Sequence, residues 1–319
     1  MPVADRPLLL VLRALGLGDF LTGLPALRAL RIAYPGHRLV LAAPRPLEPL
    51  ASLSGAVDEL HPTRPLARLD EALAGADLAV NLHGRGPESH RVLLQARPKR
   101  LLAFANAEAP ETAAMPAWRP REHEVRRWCR LLEEAGIRAN PSRLELTRPA
   151  WTPVWDAATT VVHPGSADPA RRWPVERFAA VARAEREAGR GVVVTGSPAE
   201  VGLAEEVARL GGLEDGHVYA GKTDLLELAA LVAAAARVVC GDTGVAHLAT
   251  ALGTPSVVLF GPMSPEYWGP PAERRQHRVL WAGEIGDVRT SAPHPGLLLI
   301  DVADVIHELA ELDHLRRAA

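Results

Sequence analysis

The sequence predicts an α/β protein of two domains, each a parallel sheet covered by helices. Three observations predict it. Short continuous apolar runs of strand length recur in both halves, each followed by a Gly-rich turn and then by apolar residues at helical spacing. At 319 residues the chain is long enough for two cores. Between the halves, residues 141–153 hold three prolines and no periodicity, as a linker does. Strand, turn and helix in alternation give parallel sheets covered by helices. Ligands then bind at the carboxyl ends of the strands and, in a two-domain protein, in the cleft between the domains. The expected limits are 1–150 for the first domain, 151–300 for the second and 301–319 for a terminal helix.

Taken in order, residues 8–12 form a buried strand, and Gly16-Leu17-Gly18-Asp19 follows it. A helix then carries Leu21, Leu24, Leu27 and Leu30 toward Tyr34, and Pro35-Gly36 stops it. Residues 39–42 form a strand, and 43–49 form a loop into a short helix. Residues 77–81 form a strand ending in His83-Gly84-Arg85-Gly86, and 100–104 a further one. Residues 105–121, rich in Ala, Pro and Glu, read as an exposed, mobile loop. Residues 123–135 are helical, with Val125, Trp128, Leu131 and Leu132 on one face and Gly136 as the stop. The second series has strands at 160–163, 191–195, 217–220, 237–240 and 256–260. Its helices lie at 175–187, 199–210, 224–236 and 245–252, and a terminal helix at 301–315 closes the chain.

Composition excludes several classes. Hydrophobic content of 48% with 23% charged residues is globular. A net charge of −2, with 4% aromatics and no basic run among them, argues against a nucleic-acid partner. No apolar run is long enough for a membrane span; residues 228–239 are too short and include Arg237. Peripheral membrane association is left open, and the cytoplasm is the default location. Cys129 in a helix and Cys240 in an apolar strand read as core thiols of a reducing compartment. There is no CxxC and no zinc-type His/Cys spacing, so no metal is expected.

One stretch, 237–247, organises the second half. Its strand, its Asp242-Thr243-Gly244 turn and the helix after it leave unpaired backbone N–H groups aimed out of the strand end. A helix dipole adds to them, which makes an anion site. Thr243 caps or donates a hydroxyl, Gly244 lets a phosphate approach, and His247 lies in the first helical turn. A phosphate would repel Asp242, which is therefore assigned a sugar hydroxyl or a capping N–H. An ordinary capped strand-to-helix connection explains the same residues. Gly16-Leu17-Gly18 partly matches the dinucleotide fingerprint, but Leu21 stands at the third glycine position. No acidic residue follows the second strand, so nicotinamide chemistry is not favoured. Asp19 is either a helix cap or a carboxylate that takes a proton from a substrate hydroxyl. Arg171 and Arg172, ahead of Trp173-Pro174, are a solvated pair or clamps for a diphosphate. His163 reads as a strand-end histidine, and His83 and His90 flank a glycine loop without metal partners.

Together these stretches resemble glycosyltransferase family 9, the ADP-heptose transferases of the lipopolysaccharide core. Leu17-Gly18-Asp19 with Thr22-Gly23-Leu24-Pro25-Ala26-Leu27-Arg28 is similar to that family's amino-terminal signature. His163-Pro164-Gly165-Ser166 with Arg172-Trp173-Pro174 resembles its central one. Asp242-Thr243-Gly244 with His247-Leu248-Ala249 and Leu259-Phe260-Gly261-Pro262 resembles its carboxyl-terminal one. The resemblance implies two facing Rossmann-like domains, the GT-B fold, with the acceptor on the first and the nucleotide sugar on the second. It also implies that the terminal helix packs back toward the first domain.

The activity implied is metal-independent, inverting transfer of a sugar, heptose first, from an ADP-linked donor to an acceptor hydroxyl. Asp19 would be the general base and Arg171 would meet the departing charge. Ser166, Arg171, Arg172, Glu200, Asp242, Thr243, Gly244 and His247 would hold the donor, with Glu200 on its ribose. Gly18, His83 and Arg85 lie on the acceptor side. The partners implied are a nucleotide sugar and a carbohydrate or small-molecule acceptor, with no cofactor beyond the substrate. One departure stands out: the family often has a lysine where this chain has Arg171, which keeps charge and changes geometry. Two other readings fit the same architecture, a nucleotide-sugar epimerase and a non-catalytic nucleotide-sugar-binding protein.

Overall fold

The computed structural model describes residues 6–318 except 152, 154, 156 and 157. Part of the expected linker at 141–153 and the last residue of the expected 301–319 segment thus lie outside the described residues. The chain divides into two compact units, Met1–Leu146 and Thr147–Ala319, and the division falls inside that linker.

In the first unit the strands are β1 (Leu8–Leu12), β2 (Arg38–Ala43), β3 (Glu59–Pro62), β4 (Leu78–Asn81) and β5 (Leu101–Leu102). The helices are α1 (Leu17–Thr22), α2 (Leu24–Ala33), α3 (Glu48–Ser54), α4 (Glu88–Gln95) and α5 (Glu124–Glu134). The strands form one sheet in the order β3-β2-β1-β4-β5, every pair parallel. β1 pairs Leu9 with Leu39 on one side and with Leu78 on the other. Its Leu9 to Leu12 are fully buried, as expected of a strand covered on both faces. The chain runs outward from β1 to β3, then returns to β4 on the other side. The switch point of strand order therefore lies between β1 and β4.

The second unit repeats the plan. Its strands are β6 (Thr160–His163), β7 (Val192–Val194), β8 (Arg237–Gly241), β9 (Ser256–Phe260) and β10 (His277–Trp281). They lie in the order β10-β9-β8-β6-β7, again all parallel, with the switch point between β6 and β8. Helices α6 (Val175–Glu187), α7 (Val201–Gly211), α8 (Leu225–Ala234), α9 (Gly244–Leu252), α10 (Pro265–Trp268), α11 (Pro295–Leu298) and α12 (Val302–Ala318) surround it. Trp173, Phe178, Val239 and Leu259 share one core with Val305, Leu309 and Leu312. The terminal helix α12 seats this apolar stripe in the core of the second unit.

The structure departs from the sequence expectations at several places. Residues 217–220 are not a strand: a short 3₁₀ turn ends at His217, and one parallel bridge, Val194 to Val218, remains. Gly216 and a left-handed Gly221 interrupt the run there. β3 and β10 were not anticipated, because β3 buries little besides Leu60 and β10 is an edge strand, mostly half-buried. α4, behind the Gly86-Pro87 loop, was also missed. The first helix is broken into α1 and α2 at Gly23. Residues 105–121 are not merely exposed: Ala109 and Thr112 are buried. The Thr112 hydroxyl accepts from Asn106 N–H at 2.9 Å and donates to the Ala109 carbonyl at 2.7 Å.

Polar anchoring completes the seat of α12. Arg237 of β8, nearly fully buried, donates to the Leu309 carbonyl at 2.9 Å and to Asp313. Arg190 also reaches Asp313. Burial raises the Asp313 pKa, but Arg237 and Arg190 outweigh it and hold the carboxyl below 3.8. A carboxyl whose folded pKa is depressed stabilises at neutral pH, and that stabilisation is lost as pH falls through the folded value. Asp313→Asn is expected to cost about 1–2 kcal/mol at pH 7, after allowing for screening by solvent at the rim. Urea unfolding of both proteins at pH 7 and pH 3 tests this: the gap must narrow at the lower pH.

Candidate functional site

In the first unit the chemistry gathers at the switch point between β1 and β4. The loop after β1 delivers Gly16, which caps α1, so Asp19 sits in the first turn rather than at the cap itself. Gly18 precedes it. The Asp19 side chain is 29% exposed, open enough to meet a ligand. Burial raises its pKa, the Arg13 guanidinium draws it down and Glu124 raises it; the net effect is a carboxyl above its ordinary 3.8. Across the switch point, the Asn81 side chain accepts from the His83 backbone N–H at 2.9 Å. Burial, and then the charge of Arg13, lower the His83 pKa and leave a neutral imidazole. Its Nδ1 is buried with no partner in the protein. Arg85, two residues on, is exposed and lines a pocket of about 390 Å³ with Asn106, Glu108 and Trp118.

In the second unit the loops after β6, β7 and β8 converge. Pro164-Gly165-Ser166 leaves β6, and Glu200, beyond β7, lies directly over Gly165. A Cβ built on Gly165 would overlap the Glu200 carboxylate, so only glycine allows the approach. Glu200 closes a capping box with Ser197, accepting from its N–H at 2.8 Å. Burial works against its charge; the Ser197 hydrogen bonds, His163 and Arg172 outweigh that and hold the carboxyl low. Arg172 Nε donates to the Ser166 carbonyl at 2.8 Å.

Arg171 reaches across the switch point. It pairs with Asp168, donates to the Asp242 carbonyl at 3.3 Å and lies 3.6 Å from the Asp242 carboxylate. Asp242 is buried, which raises its pKa against the pull of Arg171. Its carboxylate faces the Arg171 guanidinium. Thr243 is the N-cap of α9, its hydroxyl accepting from Val245 N–H at 3.2 Å, and Gly244 opens the helix. The His247 ring lies 6.0 Å from that of Trp268. Two buried polar atoms here, Ser166 Oγ and Arg171 Nε, have no partner in the protein.

The eight expected donor residues therefore lie on the loops and the helix start at the carboxyl ends of β6, β7 and β8. Asp19, Gly18 and His83 lie at the corresponding end of β1 and β4, with Arg85 further along the second loop. Sequence reasoning missed Arg13, Glu124 and Asp168. A lone arginine directly after an apolar strand, where the chain is most buried, was the available signal for Arg13. Among the described residues no cluster of His, Cys, Asp or Glu is spaced to hold a metal ion. No described helix is long and apolar enough to cross a membrane.

Two parallel five-stranded units with Gly-rich loops at their switch points define an α/β protein of the GT-B kind. The profile of glycosyltransferase family 9 (heptosyltransferase) matches residues 111–289, and the chain belongs to that family. It is 34% identical over 154 residues to lipooligosaccharide heptosyltransferase 2 of Haemophilus ducreyi. That stretch covers 45% of this chain and 44% of the relative, so the match spans under half of the relative's length. The fold matches the E. coli ADP-heptose lps heptosyltransferase II with a TM-score of 0.80 at 23% identity, over 98% of this chain and 100% of that one. It also matches E. coli heptosyltransferase WaaC, solved with ADP-2-deoxy-2-fluoro heptose. There the TM-score is 0.72 at 19% identity, over 95% and 99% of the two chains.

The overlap at Gly165 gives a direct test of this packing. Gly165→Ala is expected to push Glu200 out of its capping box and lower the unfolding midpoint by about 2–4 °C, the effect of a lost cap. Ser197→Ala breaks the same box. The double variant should therefore cost no more than the larger single one, and full additivity in thermal melts would separate the two.

Proposed function

We propose that the protein is an inverting glycosyltransferase that moves a heptose from ADP-heptose to an acceptor hydroxyl without a metal ion. The observation that carries the reading is the pair of unpartnered buried donors, Ser166 Oγ and Arg171 Nε, on the loop after β6, where Arg171 also bonds the Asp242 carbonyl just ahead of α9. A buried donor without an acceptor costs about 1–3 kcal/mol, so a site that keeps two of them is suited to an anion. A diphosphate supplies the acceptor oxygens, and the helix start adds N–H groups and positive potential. The WaaC structure, solved with a fluorinated ADP-heptose, supports the choice of donor. Glu200 is assigned to the ribose hydroxyls, and its lowered pKa keeps it an acceptor.

Asp19 is the general base. The acceptor oxygen attacks the anomeric carbon as its proton passes to the Asp19 carboxylate, and the bond from that carbon to the phosphate oxygen breaks. ADP leaves with its charge met by Arg171, Arg172, His247 and the start of α9. Inversion follows because a single in-line displacement occurs. A carboxyl raised above 3.8 is a stronger base than an ordinary aspartate. The neutral His83, with an unpartnered Nδ1, is assigned to an acceptor hydroxyl. Cys129 and Cys240 are buried and unpaired, and burial pushes the Cys129 thiol up to about 12, which suits action in the reducing cytoplasm.

Asp19→Asn is expected to lower turnover of ADP-heptose by about 10³-fold or more while ADP still stabilises the protein thermally. Retained turnover sinks the base assignment. Ser166→Ala and Arg171→Gln each remove a donor to the diphosphate. Each should cost roughly 3 kcal/mol of transition-state stabilisation, read as kcat/KM for ADP-heptose.

A further inference from the structure

Arg13 directly follows β1 and is almost completely buried. Its guanidinium is committed on every side. Nε donates to the Asp19 carbonyl and Nη1 to the Leu82 carbonyl across the switch point. Nη2 donates to Thr22 Oγ1 at 3.0 Å and to Glu124 Oε1 at 3.2 Å, and lies 3.8 Å from Asp19 Oδ1. The guanidinium carbon stands 4.9 Å from the Trp128 ring centroid. Gly23 makes room, since a Cβ there would lie 2.9 Å from Arg13 Nε.

Glu124, at the start of α5, is buried too. It is held by Arg13, by Arg127 and by the Trp128 indole N–H at 2.7 Å. These bonds keep its carboxylate in the Arg13 network. A buried ion pair of this kind is poor support for stability, because desolvation offsets most of the attraction. It does fix a charge pattern in a low-dielectric place, here directly beneath the proposed base.

We infer that Arg13 and Glu124 are positioning residues for Asp19: Arg13 clamps the backbone of α1 and, with Glu124, sets the charge field in which the Asp19 carboxylate works. The inference rests on Asp19 being the base. The charged and titratable groups around it are Arg13 after β1 and Glu124 on α5, with the neutral His83 beyond Arg13. Their charges act in opposite senses. Arg13 favours the ionised carboxylate and Glu124 opposes it, while burial dominates both.

The experiment is a titration of the Asp19 side-chain carboxyl by carbon-13 NMR on the full chain, with the resonance assigned by Asp19→Asn. Glu124→Gln keeps the shape and the acceptor for Trp128 but removes the negative charge. Its Asp19 midpoint should fall by about 0.5–1 pH unit. Arg13→Gln should raise the midpoint by a similar amount, and Arg13→Lys should return it toward the wild-type value. The acid limb of kcat/KM for ADP-heptose should move with each midpoint. Shifts of opposite sign are what packing damage alone would not produce. An unmoved midpoint in Glu124→Gln, which can be read even if Arg13→Gln fails to fold, overturns the inference. Turnover retained in Asp19→Asn instead overturns the base assignment, so the two failures are separable.

Discussion

Each unit closes its switch point with one arginine. Arg13 leaves β1 and binds the carbonyl of Leu82 beyond β4; Arg171 leaves β6 by a longer loop and binds the carbonyl of Asp242 beyond β8. The need arises from topology. Where strand order reverses, the two flanking loops diverge to opposite faces of the sheet, and nothing in the ladder ties them together. Five N–H donors in a rigid fork reach carbonyls on both sides at once. The two arginines differ in what remains. Arg13 is nearly fully buried and bonded at Nε and both terminal nitrogens, whereas Arg171 is partly exposed and keeps Nε unpartnered.

The same contrast separates the aspartates. Asp19 and Asp242 both lie just beyond the carboxyl end of a central strand, and burial raises both pKa values. Asp242 is almost inaccessible and faces Arg171 at 3.6 Å. Asp19 keeps 29% of its side chain open and meets its arginine only at 3.8 Å. Paired environments that push two carboxylates toward different tasks are a common way to assign acid-base roles. Here exposure decides between them, not the pKa direction, which is the same for both.

Much of this was legible in the sequence because the strong signals are local. Continuous apolar runs at 8–12, 160–163 and 256–260 match β1, β6 and β9 to the residue, since a strand buried on both faces needs no alternation to be seen. α6 was equally plain from its spacing. Failures came where context overrides pattern. β3 and β10 sit at sheet edges with few buried residues, and Val218 lost its ladder to the glycines around it. At the site, glycines and motif residues stood out, but their partners did not. Nothing in the spacing of Arg13 and Glu124, 111 positions apart, shows that they meet. A long-range ion pair has no period.

Arg171, where the family resemblance implies a lysine, becomes intelligible from geometry. A lysine ammonium is a single point that could pair with Asp168 or with Asp242, or reach a phosphate, but hardly all three. The guanidinium divides the work: one terminal nitrogen goes to Asp168 and the other to the Asp242 carbonyl, while Nε stays unpartnered. With both terminal nitrogens held, the plane of the fork is fixed before any donor arrives. A preorganised donor loses less freedom when a phosphate binds and needs less reorganisation as charge develops on the leaving group. On this argument the substitution trades the reach of a flexible ammonium for a fixed direction. The cost is that Asp168 is needed to hold the fork, since its carboxylate binds one terminal nitrogen while the backbone carbonyl of Asp242 holds the other.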